Sequence, residues 1–245
     1  MKITRSFSRH QWLLLSLLLL PIISCPDLSL ASDQGFSWPI DCIPGISCVG
    51  QHFRIGYPDI SGAGKSFSCG TPGYRGHHGT DIVVSSVEQD VHVLAAADGI
   101  VHWIQDGLQD HCPNDTDRDC DEQKKTLLTL KGFEQASLGF NAGNYIILEH
   151  KINGARYLTL YAHLRNGSLR ATTKQNVRRG QWIANVGSSG NSLIPHLHFG
   201  VYKQDYKFYL PIDPWKGDCN KTSDGLWAYD PPYQEDSPTV DLEEN

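Results

Sequence analysis

The sequence predicts an all-β fold: antiparallel sheets in a sandwich-like or barrel-like arrangement, rich in loops, stapled by disulfides and opening a groove on one face. Three observations predict it. Short apolar or alternating segments fall near residues 91–104, 127–130, 144–150, 156–163, 181–186 and 197–203, with the lengths and the β-branched or aromatic content of strands. Turn-rich clusters of Gly, Pro, Asn and Asp separate them, and no amphipathic helix of useful length interrupts them. Two of the later segments carry histidine in step with the two-residue period of a strand, which places imidazoles on a face that an antiparallel sheet commonly leaves open.

At the amino terminus, Lys2, Arg5 and Arg9 precede an apolar run over residues 12–23, short for a bilayer span and suited to a signal peptide occupying residues 1–31. Two processing routes compete. Ser29-Leu30-Ala31 resembles a small-residue cleavage site that releases a chain starting at Ser32. Ile22-Ile23-Ser24-Cys25 resembles a bacterial lipobox, which would lipidate Cys25 and supply the membrane attachment. Either route predicts export to the periplasm, cell envelope or exterior. Residues 32–70 follow as an extension that contains cysteine and is long enough to cover the groove. Setting Cys25 aside leaves Cys42, Cys48, Cys69, Cys112, Cys120 and Cys219, an even count that fits three disulfides in an oxidising compartment. Local pairing joins Cys42 to Cys48 and Cys112 to Cys120, and leaves Cys69 for Cys219. No Cys-x-x-Cys pair suggests a cysteine-bound zinc.

Residues 71–233 hold the chemistry. The loop Cys69-Gly70-Thr71-Pro72-Gly73 leads to His77-His78-Gly79-Thr80-Asp81, where a strand starts with Asp81-Ile82-Val83-Val84. Across that junction His77 and Asp81 can converge on one ion, Gly79 relieving the backbone between them. A polar insertion spans residues 106–141. Its Asp115, Asp117 and Asp119 resemble a calcium loop, but Cys120 and Thr126 stand where glycine and glutamate are required, so a disulfide-pinned surface loop is expected. His150 shares a strand face with Ile146 and Leu148 and reads as a structural, hydrogen-bonded histidine. In 156–163, Leu158, Leu160 and Ala162 alternate with Tyr157, Thr159, Tyr161 and His163. In Pro195-His196-Leu197-His198-Phe199 and onward, His196, His198 and Gly200 oppose Leu197, Phe199 and Val201. The polar faces of these two strands are expected to floor the groove. His78 points away if His77 coordinates, and His52, His92, His102 and His111 read as surface or structural. Trp103, Trp182, Trp215 and Trp227 are expected mostly in the core or the groove wall, with Pro211-Ile212-Asp213-Pro214-Trp215 as a structural turn. Residues 234–245 form an acidic tail with the composition of a disordered segment.

His77-x-x-x-Asp81, Tyr161-Ala162-His163-Leu164 and the glycine-containing run from Val177 into His196-Leu197-His198-Phe199 together resemble the lysostaphin/LytM-type zinc metallopeptidases, which cut peptide bonds in bacterial cell walls. The resemblance extends from about Gly76 to Tyr202. It implies the duplicated hybrid motif fold, one zinc ion held by His77, Asp81 and His198, and catalytic roles for His163 and His196. Three protein ligands leave a tetrahedral position for water, which zinc makes acidic enough to ionise near neutral pH. His196 is then expected as general base, with His163 orienting substrate or stabilising the oxyanion. No His-Glu-x-x-His occurs, so a helix-borne glutamate base is not supported. The chain departs from the family pattern at Gly200, where members often carry an acid.

Removing residues 1–31 takes away three basic residues and Asp27, so the 21 basic and 27 acidic residues become 18 and 26, net −8, which argues against nucleic-acid binding. The leading expectation is an exported zinc endopeptidase acting on peptidoglycan stem peptides or cross-bridges. The alternatives are a non-catalytic module that binds the wall or activates an amidase, and a secreted protease of other proteins. Oligomeric state is not readable from the chain.

Overall fold

The computed structural model describes residues 35–42, 55–69, 76–111, 142–220 and 225–229. The signal-peptide and Cys25 readings, His52, the 127–130 strand, the acid-rich loop, Cys48, Cys112, Cys120 and the acidic tail lie outside the described residues.

The described residues are all-β apart from one 3-10 turn at Val87–Gln89. The strands are β1 (Ile55–Gly56), β2 (Gly79–Val83), β3 (His92–Leu94), β4 (Gly99–Gln105), β5 (Asn144–Ile152), β6 (Ala155–Leu164), β7 (Asn176–Val177), β8 (Trp182–Asn185), β9 (His196–Asp205) and β10 (Phe208–Ile212). An eight-stranded sheet runs β1-β2-β9-β6-β5-β4-β7, with β10 pairing the far half of β9. Strands β3 and β8 form a separate two-stranded sheet. All these pairs are antiparallel. The large sheet ends at β1 and β7 and does not close into a barrel.

Asn153 and Gly154, both at positive φ, turn β5 into β6, the residue pair that a tight hairpin with native twist demands. One face of the sheet packs Ile82, Ile146, Leu148, Tyr161, Leu197, Phe199 and Val201 into the main core, together with Val93, Ile183 and Ala184 of the small sheet. A smaller apolar cluster, including Ile147, Leu158, Leu160, Ala162 and Tyr202, occupies the other face. The segment 91–104, expected as one strand, divides into β3 and β4 in different sheets. The buried Ala95, Ala96 and Ala97 keep the run apolar while their small side chains let the backbone leave the ladder.

Residues before the first histidine motif are built into this fold. Phe36 and Ile55 are fully buried in the main core, β1 extends the sheet beyond β2, and Tyr57 packs edge-on to Trp215. Cys69 is bonded to Cys219, matching the expected long-range pair, and Cys42 is also disulfide-bonded.

Candidate metal centre

Strand pairing explains how residues 117 positions apart meet. β2 and β9 lie side by side with Asp81 opposite His198 and Val83 opposite His196, so all four project from the same face. Thr80 and Ile82 point the other way, opposite Phe199 and Leu197, and root both strands in the core. His77 comes from the loop just before β2. Its Nε2 lies 3.1 Å from Asp81 Oδ2 and 3.2 Å from His198 Nδ1, while His198 Nδ1 is 2.8 Å from Asp81 Oδ1. All three side chains are buried.

These are the spacings of ligand atoms around one small cation. Bonds of about 2.0–2.1 Å place neighbouring ligands of a tetrahedral zinc about 3.3 Å apart. Two imidazoles and one carboxylate also match zinc in charge and softness. His77 Nδ1 donates to the Tyr57 carbonyl at 3.1 Å, which turns Nε2 inward as a lone pair. Asp81 is buried, which alone would raise its pKa. The neighbouring His77, His196 and His198, with the hydrogen bond from His198, hold it well below the usual carboxylate range. Burial lowers His198 against the pull of Asp81.

Gly79 makes the assembly possible. A Cβ there would stand 2.5 Å from His198 Nε2, so the imidazole lies over a bare backbone. At Gly200 a Cβ would come within 2.9 Å of the Tyr202 ring, whose edge fills the space beside the backbone.

His196 and His163 flank the cluster. His196 Nε2 is 3.9 Å from Asp81 Oδ1, and its Nδ1 donates to the Ile194 carbonyl at 2.7 Å with Ser192 Oγ at 3.2 Å. His163 Nδ1 donates to the Ser189 carbonyl at 2.8 Å. Its ring lies 4.6 Å from that of His196 and 6.0 Å from that of His198. Both carbonyl partners assign the proton to Nδ1 and leave Nε2 as an acceptor. Burial, and then the charges of His196 and His198, hold His163 well below the ordinary imidazole pKa, so it is neutral near pH 7.

The strand faces differ from the expectation. Tyr157, Thr159 and Tyr161 do not share the face of the histidine cluster, because they pair with His150, Leu148 and Ile146 on the core side of the sheet. Leu158, Leu160 and Ala162 instead share the face of His198 and Gly200. His163 changes sides through a bulge: Asn144 pairs with Leu164 and Ile146 with Tyr161, which leaves one extra residue on β6, and His163 takes φ +59°. Among the described residues, other histidines have local partners. His150 bonds the Asp98 carbonyl at 2.8 Å and Thr159 Oγ1 at 2.7 Å, and burial lowers its pKa to about 4. His92 stacks on Trp182 and pairs with Asp41, and His102 faces Glu149. His78 stands outside the His77–Asp81–His198 cluster. Trp215 and Trp227 pack in the aromatic core, while Trp103 and Tyr229 are exposed. Sequence reasoning missed Tyr57, because a backbone carbonyl leaves no mark on residue type.

Residues 132–211 match peptidase family M23. Over 77 residues the chain is 39% identical to the peptidoglycan DD-endopeptidase ShyB of Vibrio cholerae, a stretch covering 31% of this chain and 16% of that protein. The chain spans less than a fifth of the length of the curated relatives it matches. Among solved structures, it is similar to a zinc-containing peptidase from Vibrio cholerae, with 24% identity, a TM-score of 0.41 and coverage of 75% of this chain and 40% of the other. It is also similar to the catalytic domain of lysostaphin from Staphylococcus simulans, with 22% identity, a TM-score of 0.37 and coverage of 66% and 89%.

Proposed function

Residues 132–211 match peptidase family M23, and from that match we propose that the chain is an exported zinc endopeptidase that hydrolyses peptide bonds in peptidoglycan. The observation that carries the reading is the buried triangle of His77 Nε2, Asp81 and His198 Nδ1, with the acceptor nitrogen of His196 3.9 Å from Asp81. The relatives named as peptidoglycan DD-endopeptidases favour stem-peptide cross-links as the substrate.

His77, Asp81 and His198 would hold the zinc. When bound, the ion supplies Lewis-acid polarisation of the scissile carbonyl and acidifies water near neutral pH. His196 Nε2 accepts the proton released as water attacks the carbonyl carbon, and its Nδ1 stays tied to the Ile194 carbonyl throughout. His163 begins as a neutral acceptor and orients the attacking water or a substrate N–H. An imidazole that has taken up the proton becomes a donor. It can then bond the developing oxyanion and return the proton to the departing amine as the C–N bond breaks. Export is supported by the basic and apolar amino terminus and by the Cys69–Cys219 bond, which persists in an oxidising compartment.

The test is to incubate the purified protein with peptidoglycan and with cross-linked muropeptides, with zinc or with chelator, and to read the products by mass spectrometry. New peptide termini should appear with zinc and vanish with chelator. His196→Ala should lower kcat by about 10²–10⁴-fold while zinc content is retained. An uncut panel in the presence of stoichiometric zinc would move the non-catalytic wall module, or a protease of other proteins, ahead of this reading.

A further inference from the structure

The geometry points to Ser189 and Asn144 as positioning residues for His163, holding its backbone in the left-handed bulge that turns the imidazole to the metal face. This rests on the role given to His163 in the proposed hydrolysis. A histidine at φ +59° in a strand persists only where its surroundings hold it there. Left to regular pairing, β6 would keep His163 on the side of Tyr161, inside the main core and away from His198.

The surroundings are specific. Asn144 and Leu164 are partners in the β5–β6 ladder, yet the Ser189 hydroxyl stands between them. Asn144 N donates to Ser189 Oγ at 2.9 Å, and Ser189 Oγ donates to the Leu164 carbonyl at 2.7 Å. A side chain from the loop after β8 is thereby inserted into the ladder next to the bulge. The Asn144 side chain secures the same point. Its Nδ2 donates to the carbonyls of Leu164 at 3.0 Å and Leu108 at 2.8 Å, and its Oδ1 accepts from Leu108 N at 2.8 Å. His163 N donates to the Ala142 carbonyl at 2.9 Å, and the Ser189 carbonyl fixes the ring through Nδ1.

Asn144, Leu164 and Ser189 are fully buried. Each of these bonds therefore lies where an unsatisfied group is costly. Ser189 acts twice, its hydroxyl opening the ladder and its carbonyl setting the tautomer. Without the hydroxyl, Asn144 N can close directly on Leu164, and the extra residue on β6 loses the contact that keeps it extruded.

The test compares Ser189→Ala and Asn144→Ala in the wild-type and His163→Ala backgrounds. We expect kcat to fall roughly 10- to 100-fold, the scale of an ångström-sized misplacement of a reacting group, with KM, zinc content and far-UV circular dichroism unchanged. In the His163→Ala background neither substitution should lower kcat further, because both act through that ring. Nitrogen-15 NMR of the His163 ring gives a readout independent of turnover: the wild-type Nδ1-protonated tautomer should give way to a mixture in either variant. Three results overturn the assignment: wild-type kcat and ring signals in both variants, an equal further loss of activity on top of His163→Ala, or loss of fold and zinc in both variants. Full activity in His163→Ala alone sinks the catalytic reading of His163 itself, and an inactive wild type leaves the NMR comparison to decide the positioning.

Discussion

His198 lies against a backbone with no side chain, so Gly79→Ala is expected to weaken zinc binding about 10- to 100-fold, as loss of ligand support does elsewhere. Competition with a chromophoric chelator measures this, and unchanged circular dichroism would show the effect to be local. Asp213 makes a different prediction. Burial pushes its carboxyl from 3.8 up to about 7, against the hydrogen bond from Trp215 N and the charge of His77. The folded state then keeps a proton that the unfolded chain releases near pH 4, so stability should fall as pH rises from about 4 to about 7 and level off above, by up to about 4 kcal/mol. Asp213→Asn retains an acceptor for Trp215 N and cannot ionise. Its melting temperature should exceed that of the wild type at pH 8 and converge with it near pH 4. Histidines were the most legible residues, because ligand chemistry restricts type and spacing. Asn144, Ser189 and Tyr57 were silent, since each acts on another residue through hydrogen bonds that many residue types can make.

Regular alternation made β9 readable: His196 and His198 fall on one face and Leu197, Phe199 and Val201 on the other, as the two-residue period requires. The same rule failed at the end of β6. A bulge adds one residue without altering composition, and the sequence Tyr161-Ala162-His163-Leu164 looks the same with or without it. Strands β1 and β7, two residues each, are too short to leave a period. The segment before Gly70, expected as an extension able to cover the groove, supplies Phe36, Ile55 and Tyr57 to the interior. Truncation to Gly70 should therefore abolish the cooperative melting transition. Phe36→Ala alone should cost about 3–5 kcal/mol in chemical denaturation. A truncated chain that melts like the full protein would show that these contacts contribute little.

Across the whole molecule, the five side chains proposed to act in hydrolysis, drawn from a 122-residue stretch, His77 to His198, are carried on one antiparallel sheet and its adjoining loops. Cys69 and Cys219 clasp the chain on either side of them, 150 positions apart. Cys69→Ser with Cys219→Ser should lower stability by about 2–5 kcal/mol, the range for closing a long loop, as read from the shift of a urea midpoint. The same clasp has a consequence for damage. A single cut at any peptide bond between Gly70 and Asp218 yields two pieces that remain one covalent molecule, with His77 and His198 still tethered whichever side of the break each falls on. A nicked sample should run as one band without reductant and as two with it, so wear on the backbone need not disperse the active parts.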